Sequence, residues 1–130
     1  MSKEETQQAF LNTTYKVKGN YNFDIKINSL VENANHLDSY AFITAWNPLP
    51  VILSLEENRK RNQELENELI SNGMDYSQGI GISADGNWSE ESFFVENISI
   101  EKANELAKKY GQLAFVFGYK NNKAALTYTK

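Results

Sequence analysis

The hydrophobic pattern of the chain switches between a period of two residues and a period of 3.6 residues, which is typical of an α+β protein. Alternating or apolar runs that predict strands are YKVK (15–18), NFDIKI (22–27), AFITAW (41–46), YSQGIGIS (76–83), WSEESFFV (88–95), QLAFVFGY (112–119) and KAALTYT (123–129). Turn residues at 85–87 and 121–122 join the last four runs as two hairpins. We therefore expect a mainly antiparallel sheet, with the nearly continuous apolar run 41–46 at its centre.

Two principal helices and a short N-terminal helix are predicted beside these strands. A Ser-x-x-Glu capping box at Ser54 begins a helix from about Leu55 to Asn72. Ser99 caps a second, amphipathic helix, and residues 3–11 form the short one. Because no linker or internal repeat interrupts the pattern, we expect a single α+β domain over residues 1–130.

The long helix carries asparagines on its apolar side. A helical wheel places Leu55, Asn58, Asn62, Leu65 and Leu69 on one inward stripe. A buried amide without a partner costs roughly 1–3 kcal/mol, so Asn58 and Asn62 must be hydrogen-bonded. They either hold the loop 47–53 in a purely structural role or line a cleft. Arg59 borders the stripe and is a candidate for binding an anion, whereas Arg61 is expected to point outward and pair with Glu57.

Further polar candidates lie at the ends of predicted strands. Trp46 and Asn47 end the apolar strand where Pro48 turns the chain, and Gln112 opens a later strand. The candidate ligand-binding residues are Trp46, Asn47, Asn58, Arg59, Asn62, Trp88, Glu90, Ser92 and Gln112. Five of them are expected to surround one cleft: Asn47, Asn58, Asn62, Glu90 and Gln112.

Composition removes several classes of chemistry. The chain of 130 residues has no cysteine and one histidine, and it lacks the spacings of metallohydrolases, Ser-His hydrolases and P-loop proteins, so no metal, cofactor or catalytic residue is assigned. The run GIGISA (79–84) fits a dinucleotide-binding spacing, but a turn and a strand follow it instead of a helix. Without a signal peptide or an apolar run of membrane length, we expect a cytoplasmic location and no membrane partner.

Charge is distributed unevenly along the chain. The net charge is −4, yet residues 102–130 contain six lysines and one acid. Such asymmetry can mark a nucleic-acid surface, and binding through this lysine-rich region is kept as a minor alternative. Solvated charge is the more common explanation, because Lys120, Lys123 and Lys130 lie on or near a hairpin and the tail.

Four motifs occur in a fixed order: FITAWNP, SLEEN-x-x-x-N-x-x-L, GNWSEESFFV and YGQLAFVF. In this order they are similar to a family of small bacterial proteins, domain of unknown function family thirty-two ninety-three, and the resemblance covers residues from about 15 to 119. It implies matching motif positions at Thr44, Asn47, Pro48, Asn58, Asn62, Trp88, Glu90, Ser92 and Gln112. The resemblance carries over no activity.

Three functional hypotheses remain open. The leading one is a binding or regulatory module, whose Asn/Glu/Gln pocket takes a small polar ligand or a protein partner. The second is an enzyme that uses Glu90 as a general acid or base, with Arg59 holding an anionic group of the substrate. In the third, the asparagines and the acid form a structural network, and function resides on an outer surface or in an oligomer interface.

Overall fold

The computed structural model of the protein describes residues 2–19, 22–48 and 51–130. In chain order, its elements are α1 (Lys3–Asn12), β1 (Thr14–Val17), β2 (Phe23–Ile25), a 3₁₀ turn (Glu32–Ala34), β3 (Ser39–Ile43), α2 (Leu55–Ser71), β4 (Tyr76–Ile82), β5 (Ser89–Glu96), α3 (Ile100–Lys109), β6 (Ala114–Tyr119) and β7 (Ala125–Tyr128). The predicted α+β class and the order of elements are confirmed. Positions 49 and 50 of the loop 47–53 lie outside the described residues.

Within the described ranges, seven strands form one curled sheet in the order β2-β1-β4-β5-β3-β6-β7, and every pairing is antiparallel. The apolar strand β3 lies between β5 and β6, as predicted for a strand that is covered on both faces. The curl brings the two ends of the sheet together. The Asn28 amide donates to the Ala124 carbonyl at 2.7 Å, and the Ala124 amide donates to the Ser29 carbonyl at 2.9 Å. The sheet therefore has an outer face and an inner face.

Alternation along the strands divides the core into two clusters, one on each face. The outer cluster packs under α2 and α3 and includes Ala41, Ile43, Leu65, Leu69, Phe93, Val95, Leu106, Phe115 and Phe117. The inner cluster includes Tyr15, Val17, Ile25, Tyr40, Phe42, Phe94 and Val116, and Phe10 and Leu11 of α1 pack against it. None of the helices in the described ranges combines the length and the apolar character needed to span a membrane.

Two expectations about α2 are wrong. Leu55 is 54 % exposed and does not continue the inward stripe. Arg61 does not point outward: its Nε donates to the Ala45 carbonyl at 2.7 Å, and its Nη2 donates to the Tyr110 carbonyl. Tyr110 is the C-cap of α3, where carbonyl groups lack helical partners and attract a cation. Arg61 therefore ties the chain after β3 to the end of α3.

Strand β3 ends at Ile43, three residues earlier than predicted, because side chains take over the hydrogen bonds of the following backbone. The Ala45 amide donates to Asn62 Oδ1 at 2.8 Å, and Thr44 Oγ1 donates to the Glu91 carbonyl at 2.7 Å. Gln112 likewise precedes its strand instead of opening it, since its amide donates to the Ala107 carbonyl at 2.9 Å. Both departures place polar residues beyond the strand ends.

Candidate functional site

Asn47 and Asn58 form a reciprocal pair of hydrogen bonds. The Asn47 amide donates to Asn58 Oδ1, and Asn58 Nδ2 donates to Asn47 Oδ1, both at 2.8 Å. The Leu53 amide also donates to Asn47 Oδ1 at 2.8 Å. Asn47 has φ +41°, a left-handed conformation that asparagine tolerates better than most residues. Asn58 is therefore buried and hydrogen-bonded as predicted, and it holds the start of the loop 47–53.

Asn62 is also buried and hydrogen-bonded, but it belongs to the outer face. Its Oδ1 accepts from the Ala45 amide, and its Nδ2 donates to the Glu91 carbonyl, both at 2.8 Å. Asn62, Arg59 and Glu91 line a depression of about 240 Å³ between α2 and the sheet. Arg59 Nε lies 3.8 Å from Glu91 Oε2 in an exposed ion pair. An anion at Arg59 would therefore have to compete with a carboxylate already beside it.

A separate cavity of about 90 Å³ lies on the inner face, next to the C-terminal end of α1. The strand register explains it: Gly81 pairs with Tyr15 on one side and with Glu90 on the other. Because Gly81 has no side chain, space remains between its two neighbours. The walls are mainly apolar and include Phe10, Tyr15, Phe42, Val116 and Leu126. The polar lining includes Thr44, Asn47, Trp88, Glu90, Ser92 and Gln112.

The structure brings together five of the nine candidate residues at this cavity: Asn47, Trp88, Glu90, Ser92 and Gln112. Trp46 is buried but does not line the cavity, and its carbonyl accepts from Gln112 Nε2 at 3.0 Å. Asn58 reaches the cavity only through Asn47, whereas Arg59 and Asn62 line the outer depression. The expectation of one shared cleft is therefore wrong for two residues. Asn58 does not line the cavity because its side chain bonds to Asn47 and Leu53, and Asn62 lies with Glu91 on the outer face, because alternation along β5 puts Glu90 and Glu91 on opposite faces.

Glu90 is the acidic group of the inner cavity. Its Oε1 accepts a hydrogen bond from Trp88 Nε1 at 3.0 Å. Burial raises the pKa of the Glu90 carboxyl above its ordinary value, and the hydrogen bond from Trp88 opposes this shift. In the described part of the chain no salt bridge involves Glu90, and no group of three or more histidine, aspartate and glutamate side chains is placed to hold a metal ion.

Three polar atoms of the lining have no hydrogen-bond partner among the described residues: Glu90 Oε2, Asn47 Nδ2 and Gln112 Oε1. The two amide orientations follow from backbone contacts. Asn47 must direct its oxygen to the Leu53 amide, and Gln112 must direct its nitrogen to the Trp46 carbonyl. Three residues that line the cavity therefore retain one amide donor, one amide acceptor and one carboxyl oxygen for a ligand.

The raised pKa of Glu90 predicts how its replacement changes stability with pH. The folded protein binds this proton more tightly than the unfolded chain, so the wild type loses stability as pH rises through the interval between the two pKa values. Glu90→Gln does not titrate and retains an acceptor for Trp88. We therefore expect its stability relative to the wild type to increase between about pH 4 and about pH 7. Urea denaturation at both pH values measures this difference, and a constant or decreasing difference would contradict the prediction.

The family model described as "Protein of unknown function (DUF3293)" matches residues 43–115, more than half of the chain. The chain belongs to this family. The resemblance seen in the sequence is confirmed, and this DUF3293 match extends from the end of β3 to the start of β6. It contains Asn47, Glu90, Ser92 and Gln112, which line the inner cavity. No curated protein and no solved structure matches the chain.

The sequence did not indicate which residues form the wall of the cavity on the side of α1. Phe10, Thr13 and Tyr15 precede the DUF3293 match, and Leu126 follows it. Alternation places Tyr15 and Val17 on one face of β1, but it does not reveal that β1 pairs with β4 next to Gly81. The family segment supplies the polar lining and part of the apolar wall, and the flanking elements complete the apolar wall on the α1 side.

Proposed function

We propose that this protein is a binding module whose site is the inner cavity at Glu90. The observation that carries the proposal is that Asn47, Glu90 and Gln112, which line one largely apolar space, each have a polar atom without a partner among the described residues. Binding sites for small molecules are mostly apolar, with a few polar groups that fix the orientation of the ligand. Among the described residues, Tyr40 Oη is the buried side-chain polar atom without a partner, so these three atoms are open to water, which the polar groups of a ligand would replace.

A second candidate function is catalysis with Glu90 as a general acid or base. The raised pKa of its carboxyl favours this role, because burial brings a carboxyl closer to the pKa at which it can exchange a proton at neutral pH. Arg59 is not part of this second proposal, since it lines the outer depression while Glu90 lines the inner cavity. A substrate anchored at Glu90 would be oriented by Asn47 and Gln112 instead.

A cavity-filling variant tests the binding site. Ala114 is buried and lines the cavity, whereas Ala125 is exposed on the adjacent strand β7. Ala114→Leu adds three carbon atoms next to the cavity of about 90 Å³ and is expected to weaken ligand binding at least about tenfold by taking up the space a ligand needs. Ala125→Leu is the matched control and should bind as the wild type does.

The ligands for this test come from a library of small neutral, cationic and anionic compounds, screened by protein-observed NMR. Ligands of the site should shift the amide signals of Thr44, Ser92 and Gln112. Thermal unfolding of both variants shows that each is folded before binding is compared. Shifts confined to Arg59 and Asn62, or binding that Ala114→Leu leaves unchanged, would contradict the proposed site.

A further inference from the structure

We propose that the ligand of the inner cavity is a small organic cation, with a primary ammonium group on a short apolar body. This inference rests on the proposed function and names the class of ligand. The charge of the lining is its first support. Among the described residues that line the cavity, Glu90 is the acid, and none is lysine, arginine or histidine. The lining therefore attracts a cation and repels an anion.

The second support is the set of hydrogen-bond and ion-pair partners of the Glu90 carboxyl. Trp88 Nε1 donates a hydrogen bond to Glu90 Oε1, and Glu90 Oε2 has no partner in the described part of the chain. On the opposite face of β5, Arg59 Nε lies 3.8 Å from a carboxylate oxygen of the neighbouring acid Glu91, whereas Glu90 has no salt bridge to any residue that the structure describes. A carboxylate that is partly withdrawn from water without a cation is costly to keep charged. An ammonium ligand would supply the missing charge and a charge-assisted hydrogen bond.

The remaining unpaired atoms also suit a donor-rich ligand. A primary ammonium group has three N–H donors and no acceptor. Glu90 Oε2 and Gln112 Oε1 are acceptors of lining residues that have no partner within the described ranges. The rest of the wall includes the aromatic side chains of Phe10, Tyr15 and Phe42, which accommodate an apolar body and attract positive charge. The chemistry of the cavity therefore fits a cationic head with an apolar body.

The volume of the cavity limits the size of this ligand. It measures about 90 Å³, whereas an apolar cavity of about 150 Å³ is known to hold benzene. A body of about four carbon atoms is therefore the expected upper size for a ligand that is fully enclosed. A short alkylammonium ion such as n-butylammonium matches this limit, and it serves as the probe.

The experiment compares three probes that share one alkyl chain: n-butylammonium, 1-butanol and butyrate. Each is titrated at neutral pH and constant ionic strength into the wild type, Glu90→Gln and Glu91→Gln, and binding is followed by the amide shifts of Thr44, Ser92 and Gln112. We expect n-butylammonium to bind the wild type at least about tenfold more tightly than 1-butanol, and butyrate not to bind. Glu90→Gln should abolish this preference. Glu91→Gln, which removes the same charge from the opposite face of the strand, should preserve it.

Several outcomes would contradict the proposal that the ligand is a cation, without contradicting the binding site. One is equal affinity for 1-butanol and n-butylammonium; another is a preference that survives Glu90→Gln or disappears equally in Glu91→Gln. The cation proposal also fails if none of the three probes binds while other library compounds bind to the wild type and not to Ala114→Leu. If no compound of the whole library shifts the cavity residues, the proposed function fails as well, so the two failures are distinguishable.

Discussion

Replacing Asn58 with alanine is expected to lower the free energy of unfolding by about 3 kcal/mol. The variant loses both hydrogen bonds to Asn47, and it leaves the Asn47 amide buried without an acceptor. A buried donor that loses its partner costs more than the bond contributed, because water cannot replace the partner. The change also frees a residue with positive φ from the contacts that hold it. Urea denaturation of the wild type and the variant measures the loss.

Asn67 of the same helix provides the matched control for this experiment. It is exposed, and its Oδ1 accepts only from Gln63 Nε2 one turn earlier. Asn67→Ala is expected to change the free energy of unfolding by less than about 0.5 kcal/mol. Equal effects of the two replacements would show that the pair of asparagines is not a source of stability.

Gly118→Ala is expected to destabilise the protein by at least about 3 kcal/mol. Gly118 pairs with Tyr40 across β3 and β6, and a methyl group at Gly118 would overlap the ring atoms Cε2 and Cζ and the hydroxyl of Tyr40. Tyr40 is buried and packs against Phe94, so its ring cannot move away without disturbing the inner core. Urea denaturation measures the loss of stability. The slope of the free energy of unfolding against urea is compared between the variants, because a changed slope would indicate a change in the compactness of the native or the denatured state.

Gly81→Ala is the matched control, because Gly81 is also a buried strand glycine. A methyl group there would lie 3.6 Å from Thr13 Cγ2 and from Tyr15 Cδ1, which is ordinary van der Waals contact. A much smaller effect than that of Gly118→Ala is therefore expected. Combining Gly118→Ala with Tyr40→Leu tests the cause directly, since the shorter side chain removes the overlapping atoms. If the double variant is no more stable than the sum of the two single changes predicts, the overlap is not the cause.

Much of the fold could be predicted from the sequence, because the signals involved act between residues that are close along the chain. Ser54 and Ser99 each accept a hydrogen bond from an amide three residues later, which begins α2 and α3. Gly73 has φ +67° just after the end of α2, where a left-handed residue closes a helix. Such contacts depend on local geometry alone, and they were correctly placed.

The candidate site was only partly predictable, because its members come from elements that are far apart in sequence. The strand register that sets Gly81 between Tyr15 and Glu90 depends on pairing across three strands. A wheel for α2 gave Asn58 and Asn62 the correct burial. It did not reveal that Asn62 would join the outer depression while Asn58 would bond to a residue of the inner cavity. Burial follows from periodicity, but the neighbour of a buried side chain does not.

The sequence by itself determined the helix caps, the hairpins, the order of the elements and the inward direction of the asparagines. Only the tertiary structure decided which side of the sheet each polar group would reach. Arg61 illustrates the difference: the wheel placed it outward beside Glu57, yet its guanidinium reaches carbonyls at Ala45 and Tyr110, 16 and 49 residues away. A long flexible side chain takes its partners from whatever the packed chain brings within reach, and that proximity arises when the sheet curls and the helices pack on it.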